Sequence, residues 1–266
     1  MKIAIVTTFD RNYKEAGKTL FKSIRRHTDC TGIDFKVITS DTEVLKEFEN
    51  CHFVTEDIKA RYKNVRYSKD LPAEKYASSW YRYEIFNMTD YDRVICIDSD
   101  CICVQDISYL FSEELNEYDL ISVEDHFVSK LLPPLYSQLE ANGWSFKGLY
   151  ERISLGQTDI QPAMFVINKR VISTEFYNNL ISYANNTGFT YSIDQGILND
   201  FIYQNNFHIK LLPLEWNYQD LYATRCPELP TVNPIIIHCQ ESKPWKKQKT
   251  ELKETLHKYH DQWWNI

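Results

Sequence analysis

Short, wholly apolar runs alternate along the chain with longer segments whose apolar residues recur every three or four positions. Ile3, Ala4, Ile5 and Val6, closed by Thr7 and Thr8, read as a buried strand over residues 1–8. Ala16, Leu20, Phe21 and Ile24 follow at helical spacing with Lys and Arg between them. Residues 34–40 predict a second strand and 51–54 a short third. A second helix is expected over 72–86, because proline suits a first helical turn and Tyr76, Trp80 and Tyr83 share a face. Residues 94–97, 120–123 and 163–168 read as further strands. Ile172, Phe176 and Leu180 mark a helix that stops near Asn185, Asn186 and Gly188, and a shorter one is expected from Asp194. A last buried strand falls at 234–238. Strand alternating with helix predicts an α/β protein with a Rossmann-like, mostly parallel central sheet and helices on both faces. Between 128 and 161 the pattern weakens at Pro133, Pro134, Gly143, Gly148 and Gly156. We read a loop-rich excursion from a single domain there.

Composition narrows the function classes. The chain has 266 residues, 43% hydrophobic and 25% charged, which fits a globular domain with a sizeable core. Its formal charge of -7 argues against nucleic-acid binding, which needs a basic surface. A phosphate-bearing substrate remains open where a cation mediates the contact. The first residues turn polar too soon for a secretory signal, and no apolar run is long enough to span a bilayer. Seven cysteines without paired spacing favour reduced thiols, so a cytoplasmic location is expected. Cys101 and Cys103 have no second pair nearby, and core positions on one face of an extended segment are the expectation for them.

The chemistry gathers where apolar runs end. Arg93 to Asp100 reads R-V-I-C-I-D-S-D, a strand running into two carboxylates one residue apart. Such neighbours repel unless a cation or solvent offsets them. Ligands of open α/β sheets bind at the carboxyl ends of strands, and His238 ends another strand. If the two strands run parallel, Asp98, Asp100 and His238 share one edge. Two carboxylates and an imidazole suit Mn²⁺ better than Ca²⁺, which takes oxygen alone. A hydrogen-bonded structural histidine is the plain alternative. Lys243 is either a second cation for a diphosphate or a solvated member of a basic segment with Lys246, Lys247 and Lys249.

D-S-D after an apolar strand, D-Q-G-I-L-N at 194–199 and H-C-Q-E-S-K-P-W at 238–245 occur in this order. With the opening T-T-F-D-R-N-Y and A-G-K-T-L-F-K-S-I-R-R-H, they resemble glycosyltransferase family 8, the family of glycogenin and bacterial lipooligosaccharide galactosyltransferases, over nearly the whole chain. The resemblance implies a GT-A domain over 1–245 that transfers glucose or galactose from a UDP-sugar with retention, assisted by Mn²⁺. It implies that Asp98, Asp100 and His238 bind the metal, with Asp98 shared with the donor ribose and Ser99 beside it in the donor set. Lys243 would hold the diphosphate, and Arg82 would contact donor sugar and phosphate. Asp125, with Glu124 as competitor, would bind sugar hydroxyls, and Asp194 and Gln195 would lie beside the reacting carbon. Thr7, Thr8 and Tyr13 would line the nucleotide site, with Tyr13 stacking on uracil or serving as a core residue of the helix start.

Two departures stand out. Glu241 falls where the family's H-x-x-G-x-x-K-P-W has glycine, in an interval one residue shorter. I-Q-P-A at 160–163 replaces F-N-A-G or F-N-S-G, with Gln161 standing for the asparagine. These support an alternative, a UDP-sugar or glycan-binding protein with impaired catalysis. A sugar-nucleotide synthesising enzyme would carry a glycine-rich loop after the first strand, and T-T-F-D-R-N-Y has no glycine. The acceptor is expected to be a glycan, glycolipid or glycoprotein, met by the 128–161 excursion, where Tyr136, Trp144, Phe146 and Tyr150 either stack on sugars or pin the excursion down. Residues 246–266 form a basic, aromatic helix and tail, with Leu252, Leu256, Tyr259, Trp263 and Trp264 either touching a membrane or docking on the domain.

Overall fold

A computed structural model describes residues 1–68, 71–72, 77–126, 136–141, 147–187, 194–222, 226, 229–230, 232–240, 243–246, 263 and 266. The first quarter alternates strand and helix: β1 (Ile3–Thr8), α1 (Lys14–His27), β2 (Ile33–Thr39), α2 (Thr42–Glu47), β3 (Cys51–Phe53) and α3 (Glu56–Arg61), with the short α2 and α3 not anticipated. A small antiparallel pair, β4 (Arg66–Ser68) and β5 (Leu71–Pro72), precedes α4 (Ala77–Trp80) and a 3-10 helix, Tyr81–Asn87. Then come β6 (Arg93–Ile97), β7 (Cys101–Cys103), β8 (Leu120–Glu124), α5 (Tyr136–Ala141), α6 (Lys147–Ser154) and β9 (Ile160–Asn168). The chain continues through α7 (Thr174–Thr187), α8 (Asp194–Gln204), β10 (Ile209–Leu212), β11 (Tyr218–Gln219) and β12 (Ile236–His238).

Seven strands form the central sheet in the order β10-β8-β9-β6-β1-β2-β3. Its strands run parallel except β9, which is antiparallel to both β8 and β6. Both faces are covered, which is why β6 reads as an unbroken apolar run. Val94 and Cys96 pack with Ala4, Val6, Phe165, Leu180 and Ile197 on one face. Ile95 and Ile97 pack with Ile3, Ile5, Leu20 and Ile24 on the other. Each such buried aliphatic side chain contributes about 1.5–3 kcal/mol relative to exposure. Gly17 lets α1 close on the opening loop, since a Cβ there would stand 2.3 Å from the Phe9 ring.

Four expectations are corrected. Pro72 lies in β5, so the second helix begins at Ala77 and tightens into the 3-10 helix at Tyr81. Trp80 and Tyr83 do bury together, ring centroids 5.8 Å apart, while Tyr76 lies outside the described residues. Second, the strand expected over 163–168 begins at Ile160. The register with β8 jumps between Ser122 and Val123, and this bulge admits Pro162, which has no N–H for a regular ladder. Ser122 Oγ donates toward Gln161 O (3.0 Å) and Met164 O (2.9 Å), and Ala163 N donates to Gln161 Oε1 (2.9 Å). Third, the 128–161 excursion contains α5 and α6; Tyr150 is exposed, and Trp144 and Phe146 lie outside the described residues.

Finally, β12 does not join the central sheet. It pairs antiparallel with β7 and parallel with β11 in a separate three-stranded sheet. Cys101 and Cys103 are fully buried, and all seven cysteines are free thiols. Trp263 turns into the domain and packs on Trp245, with centroids 5.0 Å apart. Leu252, Leu256, Tyr259 and Trp264 lie outside the described residues. Among the described residues, no helix is long and apolar enough to cross a membrane.

Candidate active site

The turn from β6 to β7 carries Asp98, Ser99 and Asp100. Asp98 N donates to Ala163 O on β9 (2.8 Å), and Cys101 N donates to Asp98 O (3.0 Å), which starts β7 at once. Pairing of β7 with β12 then sets His238 opposite Cys101, and Cys239 N donates to Asp100 O (2.9 Å). The two motifs are thus joined by antiparallel pairing of β7 with β12, and not by a parallel run of the strand before Asp98 with the last strand, the condition under which the sequence placed them on one edge.

Asp100 is the hub of this corner. His238 Nε2 lies 3.3 Å from its Oδ1, and Lys243 Nζ donates to its Oδ2 (2.6 Å) and to Cys239 O (3.0 Å). Lys243 is therefore engaged in the corner, against its reading as a solvated lysine. Burial opposes a charge on Asp100, but Lys243 and His238 outweigh it and hold the carboxyl well below the usual range. Burial likewise works against the charged forms of His238 and Lys243, and Asp100 raises both above their ordinary values.

Asp98 turns the other way, to Arg82. This arginine is buried, not a surface helix residue. Its Nη2 lies 3.1 Å from Asp98 Oδ1, and Nη1 donates to Pro162 O (2.7 Å). Nε donates to Ser79 O (3.1 Å), while Asp194 Oδ2 approaches the same nitrogen at 2.7 Å, an ion pair off the N–H axis. Arg82 so ties the end of β6 to the first residue of α8. Burial pushes the Asp194 carboxyl up to about 6, with Arg82 opposing and Asp98 reinforcing the shift.

A third group centres on Asp125, just past β8. Gln195 Nε2 donates to Asp125 Oδ2 (2.5 Å), and Gln161 Nε2 approaches the same oxygen at 3.4 Å. Gln161 reaches it because β9 is antiparallel, which brings its first residues to the edge where the parallel strands end. Asn199 clips α8 to that strand, accepting from Ile160 N (2.8 Å) and donating to Ile160 O and Gln195 O (3.0 Å each). Glu124, the competing carboxylate, is half-buried and lies 3.9 Å from His126 Nδ1.

At the opening loop, the Thr7 and Thr8 hydroxyls are buried without hydrogen-bond partners among the described residues. The Tyr13 ring lies 5.3 Å from that of Trp245, and Lys243 Nζ lies 5.9 Å from its centroid. The first and last motifs therefore meet. Burial raises the Tyr13 phenol above its ordinary value.

Sequence reasoning missed three groups. Cys101 offers its sulfur within 4.8 Å of ligand atoms of Asp100 and His238, a convergent trio that does not include Asp98. Asn217 and Gln219 are buried, and neither carboxamide has a hydrogen-bond partner among the described residues. Gln219 is the register partner of His238. The alternating polar residues of W-N-Y-Q-D at 216–220, in an otherwise buried segment, were the available signal. The donor set of carboxylate, imidazole and sulfur fits a divalent cation, and His238 Nδ1 is buried without a hydrogen-bond partner among the described residues.

The fold is that of the GT-A glycosyltransferases: GlyE of Streptococcus pneumoniae TIGR4 superposes with a TM-score of 0.67 at 18% identity, over 100% of this chain and 60% of GlyE. An active-site mutant of LgtC gives 0.66 at 16% identity, over 98% of this chain and 95% of LgtC. A family model for glycosyl transferase family 8 matches residues 4–249, and the chain belongs to that family. It is also similar to the glycosyltransferase GlyF of Streptococcus pneumoniae serotype 4 (strain ATCC BAA-334 / TIGR4), 24% identical over 283 aligned positions. That alignment covers 100% of this chain, which spans 63% of GlyF.

Proposed function

We propose that this chain transfers a hexose, glucose or galactose, from a UDP-sugar to a hydroxyl of a glycan, glycolipid or glycoprotein, with the anomeric configuration retained. One observation carries the reading: Arg82 bridges Asp98 and Asp194 while Gln161 and Gln195 meet on Asp125, so segments distant in sequence converge at one sheet edge. The UDP moiety fits beside Thr7, Thr8 and Tyr13, and the two threonine hydroxyls have no hydrogen-bond partner among the described residues. Asp125 and Gln161 are suited to sugar hydroxyls.

Asp100 and His238, with Asp98 and Ser99 alongside, would hold a divalent ion, and Mn²⁺ suits their oxygen and nitrogen donors. When bound, it supplies charge stabilisation to a departing diphosphate. Lys243 and Arg82 add fixed positive charge at the same edge. Asp194 is ion-paired with Arg82 and buried, and Gln195 is an uncharged amide donating to Asp125, so neither is a ready nucleophile. We therefore favour attack by the acceptor from the face that UDP leaves, a donor diphosphate oxygen taking its proton. Gln195 and Asp194 then stabilise positive charge on the oxocarbenium-like sugar. Calorimetric titration with UDP in Mn²⁺ and in EDTA tests the donor site. Metal-dependent binding, weakened in Asp100→Ala, is expected; equal or absent binding in both buffers contradicts it.

A further inference from the structure

We propose that Cys101 supplies a thiol ligand at this corner, so that Asp100, Cys101 and His238 together capture a thiophilic divalent cation such as Zn²⁺ or Cd²⁺. The small sheet builds the site. Cys101 and His238 are directly opposed residues of antiparallel strands, so their side chains leave the same face. Asp100 precedes Cys101, and the ligand atoms of all three lie within 4.8 Å of one another. His238 is 6% exposed and its Nδ1 has no hydrogen-bond partner among the described residues, so the imidazole retains unused donor capacity.

Three protein ligands with an open fourth position are a common zinc arrangement. Sulfur with imidazole favours zinc or cadmium, and the divalent series places Zn²⁺ above Mn²⁺ in affinity. Binding exchanges the thiol proton for the metal: the S–H bond breaks, the proton goes to solvent, and a metal–sulfur bond forms without change of oxidation state. Lys243 gives up Asp100 Oδ2 at the same time. Asp98 takes no part, being ion-paired with Arg82. The consequence is competition at one corner, with a thiophilic ion displacing a harder one.

The inference shares its corner with the proposed donor site but uses a different ligand, and the test separates them. The full chain is titrated with Cd²⁺ while the thiolate-to-cadmium ultraviolet absorption is followed, for the wild type, Cys101→Ser and Cys103→Ser. One thiolate per chain is expected in the wild type and Cys103→Ser, and none in Cys101→Ser. Loss of an outer-shell partner costs a metal roughly 10–100-fold in affinity, and loss of the direct thiolate is expected to cost at least that. X-ray absorption at the zinc edge of the loaded wild type needs no variant, and a sulfur neighbour is expected. No cadmium band in the wild type, a band surviving in Cys101→Ser, or a zinc shell of nitrogen and oxygen alone overturns the proposal. Mn²⁺ binding together with any of these leaves the donor site standing; no binding of either ion ends both.

Discussion

Asp159→Asn is expected to stabilise the protein at neutral and alkaline pH relative to the wild type. Arg152 donates Nε to Asp159 Oδ1 (2.8 Å), with Nη2 2.7 Å from the same oxygen, and its Nη1 meets Asp200 Oδ1 on α8. One guanidinium thus meets two carboxylates, and Asp159 O accepts from Asp125 N (2.8 Å), which brings Asp125 alongside Asp159. Asp159 Oδ2 is buried with no hydrogen-bond partner among the described residues. Burial, opposed by Arg152 and reinforced by Asp125, pushes the Asp159 carboxyl up to about 7. A folded-state value above the ordinary 3.8 means that the native state holds the proton more tightly than the unfolded chain. Its stabilising contribution is complete below that ordinary value and is lost as pH rises through the folded one. Between about pH 5 and about pH 8 the linkage amounts to about 2–3 kcal/mol, and asparagine removes it. Urea unfolding of both proteins at the two pH values measures the change, and other titrating groups largely cancel in the difference. A stability difference that stays constant with pH, or moves against the variant, refutes the reasoning.

Three further outcomes are expected. Arg93 donates to Asn168 Oδ1 (2.6 Å), Leu110 O and Ser112 O (2.8 Å each) and Asn116 Oδ1 (2.7 Å), and burial lowers its pKa to about 10. Arg93→Leu strands these acceptors at a cost of about 3–5 kcal/mol in urea unfolding, and a loss under about 1 kcal/mol contradicts the role. Glu84 accepts from the Tyr62 hydroxyl (2.7 Å) and the Tyr177 hydroxyl (2.5 Å) and lies 3.2 Å from His52 Nε2, so it anchors the 3-10 helix that carries Arg82. Glu84→Leu is expected to cost about 3 kcal/mol and to weaken donor binding by calorimetry; unchanged binding would separate Glu84 from the site. Gln195→Glu sets a second carboxyl against Asp125, and the pair then shares one proton. Donor turnover in this variant should fall relative to the wild type as pH rises; parallel pH profiles would refute the contact.

β1, β6, β8 and β9 were legible because they are buried almost throughout and each left an apolar run, whereas β10, partly exposed at the sheet's edge, went unread. The misreadings share a physical origin: the conformation depended on distant partners. The strand expected over 163–168 starts at Ile160 because the bulge opposite Ser122 and Val123 accommodates Pro162. Pro72 fits a helix start and a strand end equally well, and its pairing with Arg66 decides for the strand. Asp100, His238 and Lys243 were found together by motif order, whereas the turning of Asp98 toward Arg82 was invisible, because charge type carries no direction. Cys101 was read correctly as a buried core residue, and that reading concealed its sulfur beside His238. Arg152 and Asp159, seven positions apart across a helix end and a turn, show no periodicity that links them.

The central claim is that this sheet edge is a metal-assisted UDP-sugar site. UDP release from a panel of UDP-sugars, measured with Mn²⁺ and with EDTA for the native chain and Asp100→Ala, tests it most directly. Metal-dependent turnover of one donor by the native chain, lost in EDTA and in Asp100→Ala, is the predicted result. Turnover that survives EDTA and the substitution alike would contradict it.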